Sequence, residues 1–249
     1  MTRLMKWLAV LAAPLLLASC ILTPAKFVST LDVRADRTFT FTYLGEVQLA
    51  KTSGANGLVF KTEPSANTAT GASRRRRGGA QAPAAKNTGD TPDEAAQLQS
   101  LADALSKEYG FRSVKYVGNR RLAIDYAITG RLDHAFIFPF NPDADVLLPF
   151  VTIELRGKDR VRIKAPGYAN DQNMSASLSG FGLPAAGADA DAAAALDGTF
   201  TLTTNATVVS QNQEEGARTQ SNGAKTIVWR ANAQTREAPL AVLQLDALP

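Results

Sequence analysis

Residues 38–49 read TFTFTYLGEVQL, and alternation this strict leaves a chain few choices. Phe39, Phe41 and Tyr43 fall on one side, Thr38, Thr40 and Thr42 on the other. A period of two is the pleat of a β-strand, whereas a helix would scatter these rings around its circumference. Rings facing β-branched residues suit a strand with one buried and one wet face. Just upstream, FVSTLDV alternates in the same way, with Phe27, Ser29, Leu31 and Val33 opposite Val28, Thr30 and Asp32. The polar RADR between the two runs predicts a hairpin.

The pattern recurs along the chain. VKYVGNRRLAIDYAITG predicts a second hairpin turning at Gly118-Asn119, with Leu122, Ile124, Tyr126 and Ile128 on one face. FVTIELRGKDRVRIKAP predicts a third, turning near Gly157-Lys158, with Val151, Ile153 and Leu155 opposite Val161 and Ile163. GTFTLTTNATVVS, AKTIVWRANA and PLAVLQLDAL read as two or three closing strands around the polar loop QNQEEGARTQSNG. One segment breaks the alternation. In TPDEAAQLQSLADALSKEYG, Thr91 and Glu94 form a capping box, Pro92 suits the first turn, and Leu98, Leu101, Ala102 and Leu105 make one apolar stripe. This predicts a helix over 92–109 that ends at Gly110 and lies on the sheet. The fold class is α+β: a mostly antiparallel β-sheet built of hairpins, with one main amphipathic helix packed on it.

Two stretches lack periodicity. Residues 61–90 are rich in Ala, Gly, Ser, Thr and Pro around SRRRRGG and read as an unstructured insertion. Residues 166–198 are Gly- and Ala-rich, with at most a short helix at DADAAAAL.

The first twenty residues, MTRLMKWLAVLAAPLLLASC, follow other rules. Arg3 and Lys6 precede an apolar run from Trp7 to Ala18, too short to span a bilayer, which needs about 20 residues. The run ends at Cys20, the one cysteine of the chain. Leu17-Ala18-Ser19-Cys20 resembles the bacterial lipoprotein box, with small residues before a cysteine that becomes lipidated. The resemblance implies a signal peptide at 1–19, cleavage before Cys20, a diacylglycerol on its thiol and an acylated amine. Leu17, Ala18 and Ser19 would be read by the peptidase. Two or more acyl chains hold a protein at a membrane where one holds only marginally. Residues 20–26 are then the acylated cysteine and a short tether, and 27–249 a single domain. Ile21, rather than an aspartate, follows the cysteine; by resemblance to Gram-negative sorting this implies the periplasmic face of the outer membrane in such a host.

Composition narrows the function classes. Without Arg3 and Lys6, 25 basic residues face 23 acidic ones, a charge near +2, which argues against a general nucleic-acid binder. A single histidine and a single cysteine rule out thiolate or histidine-rich metal centres, and no cofactor is expected. No GxSxG, HExxH, P-loop or GxGxxG pattern occurs.

The order of elements, with an early hairpin, one helix, further hairpins and a closing strand, polar loop and strand bearing Trp229, resembles the LppM-type domain of bacterial lipoproteins. The matching parts are STLDVRADRTFTFTYLGEV, the helix at 92–109 and FTLTTNATVVSQNQEEGARTQSNGAKTIVWRA. The chain departs from that pattern in the Arg-containing insertion, the long 166–198 loop and the lack of Pro-Gly before the polar loop. The resemblance supplies no catalytic residues and implies a surface or periplasmic binding module.

The candidate sites each have a plainer alternative. Arg74, Arg75, Arg76 and Arg77 are suited to anionic lipid headgroups, or form part of a solvated insertion. Phe136, Phe138 and Phe140, interrupted by Pro139 and Pro142, could form an apolar lip or membrane-dipping loop, or plug the core. His134 follows Asp133, but strand neighbours face opposite sides, so that carboxylate is badly placed to orient the imidazole. Asp189, Asp191 and Asp197 lack the spacing of a calcium loop, and Trp229 reads as core.

The expected function is a non-enzymatic, lipid-anchored envelope protein that binds a lipid, a glycolipid or an envelope protein. A concave apolar cavity would favour the lipid. A filled interior with an exposed apolar patch would favour a structural role, with the sheet docking another envelope protein. A hydrolase would need converging polar residues around His134 or a serine. Oligomeric state is left open.

Overall fold

The computed structural model describes residues 22–49, 90–139, 149–170 and 194–248. Strands β1 (Leu22–Val33) and β2 (Thr38–Leu49) form the expected hairpin, with Leu31 opposite Phe41 and Val33 opposite Phe39. β1 starts at Leu22, so five residues expected as tether are already strand. Helix α1 (Pro92–Leu105) carries the capping box: Thr91 Oγ1 accepts from the Glu94 amide, and the Thr91 amide donates to the Glu94 carboxylate. Leu98 and Ala102 are buried. The helix stops at Leu105 rather than at residue 109, because Gly110 (φ +91°) belongs to the turn entering β3 (Phe111–Tyr116).

β4 (Arg121–Arg131) pairs with both β2 and β3. Then come β5 (Phe136–Phe138), β6 (Val151–Arg156) and β7 (Arg160–Lys164). A short 3-10 turn (Pro166–Tyr168) follows. The last five are β8 (Asp197–Thr204), β9 (Thr207–Gln211), β10 (Arg218–Thr219), β11 (Lys225–Asn232) and β12 (Leu240–Gln244).

The α+β class holds, but the single sheet does not. The strands form two sheets: a larger one ordered β10-β11-β8-β1-β2-β4-β3 and a smaller one ordered β5-β6-β7-β12-β9. Nor is the larger sheet wholly antiparallel, since β1 and β8 run parallel, Val28 beside Thr199 and Leu31 beside Leu202. The run GTFTLTTNATVVS is divided between the sheets at Asn205, whose Oδ1 accepts from the Ala35 amide. Buried Thr204 holds the corner by donating to the Val33 carbonyl (2.6 Å) and accepting from the Ala206 amide.

Between the sheets lies one hydrophobic core. Phe27 stacks on Tyr168 at 4.2 Å between ring centres, and Tyr168 continues to Phe200 and thence to Trp229. Phe27 sits between close backbones: a Cβ on Gly45 would lie 2.6 Å from the Phe27 Cα, and one on Gly198 2.4 Å from its ring. Burial holds the Tyr43 and Tyr168 phenols protonated well above their ordinary range.

The most unusual buried group is Arg37, wholly enclosed at φ 74° in the β1–β2 turn. Its Nε donates to the Asp246 carbonyl (2.6 Å), one terminal nitrogen to Leu132 (2.8 Å) and the other to Lys158. All three acceptors are main-chain oxygens, from the end of β4, the β6–β7 turn and the segment after β12.

Removing this guanidinium deprives three main-chain carbonyls of their donor, that of Leu132 buried, so Arg37→Met is expected to lower unfolding free energy by about 3–5 kcal/mol in urea titration. Arg37→Lys should recover little of it, since an ammonium cannot reproduce the planar fork.

Candidate functional site

Cys20 with Leu17, Ala18 and Ser19, the arginines Arg74, Arg75, Arg76 and Arg77, and Phe140 all lie outside the described residues, as do Asp189 and Asp191. What is described is where their segments attach. Leu22 pairs with Leu49, so the chain leaves for residues 50–89 beside the start of β1. It returns at Asp90, which accepts from the Tyr116 hydroxyl and from the Arg120 amide (2.8 Å). Arg120 in turn reaches Glu94 at 2.6 Å, and Arg121 meets Glu46 at 2.8 Å. One end of the larger sheet therefore gathers the leader and both roots of the insertion. The carboxylate of Asp90 pushes the Tyr116 phenol up to about 12, with burial and further charge adding to the shift.

The reading of Phe136 and Phe138 as an exposed lip or membrane loop is corrected. Phe138 is 2% exposed and touches four rings: Phe41, Tyr43, Tyr126 and Phe150, at 4.5–5.8 Å. Phe136 packs against Phe39 and Phe41. Both sit on β5, an edge strand short enough to end before Pro139, and its pleat turns them inward while Ile137 faces out.

His134 and Asp133 do meet, contrary to expectation, because they occupy a bend between β4 and β5 rather than a strand. Nδ1 lies 2.5 Å from the Asp133 carboxylate, and that bond holds the carboxyl below its usual range. The imidazole is 84% exposed, and among the described residues none encloses it. Asp197 opens β8 beside Lys26 and Asn232. Among the described residues no group of three or more His, Cys, Asp or Glu is placed to hold a metal ion. No described helix is long and apolar enough to cross a membrane.

The sheet faces, which sequence reading left unassigned, carry more information. The outer face of the larger sheet is built in rows. One runs Thr226, Thr203, Asp32, Thr40, Thr129 across five strands, and the next Val228, Thr201, Thr30, Thr42, Ala127. Thr30 and Thr42 share a hydrogen bond at 2.6 Å, as do Thr40 and Thr129 at 3.0 Å. In the third row Val28 and Leu44 stand directly opposite each other, 56% and 61% exposed, with half-exposed Val228 nearby. The signal was present in the sequence, since the same alternation that buries the rings turns Thr30, Thr40, Thr42, Thr201 and Thr203 outward. The placing of Val28 directly opposite Leu44 required the strand pairing.

No family profile matches the chain, and no curated protein matches it. Among solved structures it is similar to the folded domain of the LppM protein of Mycobacterium tuberculosis, determined by NMR. The identity is 11% and the TM-score 0.34, over 93% of this chain and 95% of that one.

Two measurements check this geometry. Phe138→Ala should cost about 3–5 kcal/mol of stability, as expected for a core ring, whereas a lip residue would leave the urea midpoint unmoved. Asp90→Asn should bring the Tyr116 phenol down from about 12 toward its ordinary value, read by NMR titration of its Cζ. Because the folded-state pKa is raised, the stabilisation is complete below pH 10 and lost as pH climbs toward 12.

Proposed function

We propose that this chain is a lipid-anchored, non-catalytic protein of the cell envelope that docks another envelope protein on the outer face of its larger sheet. The observation that carries the docking is the Val28–Leu44 pair, with Val228, exposed within ordered threonine rows. Large apolar side chains set close together on a wet face mark contact surfaces more often than isolated ones do. A lipid held inside finds less support, because the space between the sheets is filled by aromatic rings in contact. Non-catalytic action is supported by the exposure of His134.

The anchor is argued from the lipobox at Leu17–Cys20. Only Ile21 separates Cys20 from the first paired residue, so lipidation would seat this end of the larger sheet at the bilayer. That the roots of the insertion lie at the same end supports a reading in which Arg74–Arg77 meet the headgroups of that membrane. In a Gram-negative host the membrane would be the outer one, at its periplasmic face.

Fractionation and crosslinking test the reading together. Cys20→Ser should move the protein from sedimented envelopes to the soluble fraction. A photo-crosslinking side chain at Leu44 should capture in native envelopes one defined protein, also captured from Val28 and lost with Thr30→Arg. A probe at Tyr109, exposed on the turn after α1, should not capture it. Unchanged sedimentation would remove the anchor, and equal capture from Leu44 and Tyr109 would remove the docking face.

A further inference from the structure

The two outward faces differ in charge. On the larger sheet, Lys26, Lys115, Arg121, Arg131, Arg230 and Arg218, the last paired with Glu215, are interspersed with Asp32, Glu46, Asp125 and Asp197, so the face is nearly neutral. On the smaller sheet the outward positions of β6 and β7 are Thr152, Glu154 and Arg156, then Arg160, Arg162 and Lys164: four cations against one carboxylate.

That carboxylate is shared. Glu154 Oε2 accepts from Arg156 and from Arg162, both at 2.6 Å. Among the described residues, Arg160 and Lys164 have no carboxylate partner. Arg160 also stands directly opposite Arg156. Like charges facing each other across a ladder weaken it, so folding alone gives no reason for this pair. The neighbouring outward positions are Leu240, Val242 and Gln244 on β12, the last donating to the Asp159 carboxylate of the β6–β7 turn at 3.2 Å, and Ile137, 39% exposed, on β5.

We infer that this face is a basic plate that lies on an anionic lipid bilayer. Alternate residues of one strand stand about 6.6 Å apart and facing strands about 4.8 Å apart, so the cations form a flat grid. A planar array of positive heads flanked by apolar side chains complements a headgroup layer, where cations are attracted to phosphates and apolar groups settle between them. The inference rests on the proposed envelope location only for bringing the chain to a membrane. It requires neither acylation nor docking on the threonine face.

The test uses the full chain carrying Cys20→Ser, so that any contribution of the leader is the same in every variant. Sedimentation is measured with phosphatidylcholine vesicles and with vesicles that also contain phosphatidylglycerol. The double variant Arg160→Ser/Lys164→Ser removes two charges, one exposed and one half-buried, without touching the Glu154 pairs. At about 1 kcal/mol per charge, its affinity for the anionic vesicles should fall about 30-fold, with binding to neutral vesicles unchanged. Glu154→Gln frees two arginines and should tighten anionic binding about fivefold, a gain that misfolding would not produce. Lys225→Ser/Arg230→Ser, an equal charge loss on the other sheet, should have little effect. Equal losses from both double variants, no loss from either, or the Arg160/Lys164 effect appearing on soluble polyphosphate but not on vesicles would overturn the inference. Envelope fractionation through Cys20 would stand unaffected by any of these outcomes.

Discussion

The guanidinium of Arg37 holds together parts of the chain that nothing else joins so directly. It lies in the turn of the first hairpin, yet its donors reach Leu132 at the end of β4, Lys158 in the β6–β7 turn and Asp246 beyond β12. The larger sheet, the smaller sheet and the C-terminal segment are thereby closed at one corner. Main-chain bonds reinforce the closure: the Leu132 amide donates to Arg37, the Asp246 amide to Ala35 and the Leu248 amide to Lys158. Charged donors on neutral carbonyls make stronger bonds than amides do, and a planar fork offers several directions at once. A buried arginine is tolerable here because its donors are taken up by oxygens that would otherwise need partners themselves.

With that corner closed, aromatic rings packed among Leu, Val and Ile side chains fill the interior. Tyr168 wedges beside Phe27, and Phe138 beside Phe41, Tyr43 and Tyr126. Filling the space between the sheets has a functional consequence, because what the protein presents to its surroundings is then two broad faces and their edges. One is nearly neutral, with threonine rows around an apolar patch; the other is basic. That arrangement supports the proposed action by contact.

Much of this was legible locally. The alternation in TFTFTYLGEVQL marked Phe39, Phe41 and Tyr43 as inward, and all three are buried. The capping box at Thr91 and Glu94 formed as spelled, since cap and partner lie three residues apart. Gly118 and Gly157 turn the hairpins that their positions announced. Local patterns misled where a neighbour in space overruled a neighbour in sequence. Pro139 and Pro142 suggested a loop around Phe138, yet pairing with Val151 places that ring in the core. Asp133 and His134 were read with strand geometry and instead meet in a bend. Nothing near Arg37 marked it for burial, because its three acceptors lie 95 to 209 residues away.

The sequence by itself determined the longer strands, the helix and which side of those strands is apolar, because those properties depend on spacings of two to four residues. It also carried the lipobox resemblance at Leu17–Cys20, which needs no fold to be read. Only the tertiary structure decided that there are two sheets, that β1 lies parallel to β8 about 170 residues downstream, and that Val28 meets Leu44 while Arg156 meets Arg160. The reason is physical. A strand's backbone bonds and its buried face accept any partner of the same pleat, and the choice among partners is made by the fit of the whole core.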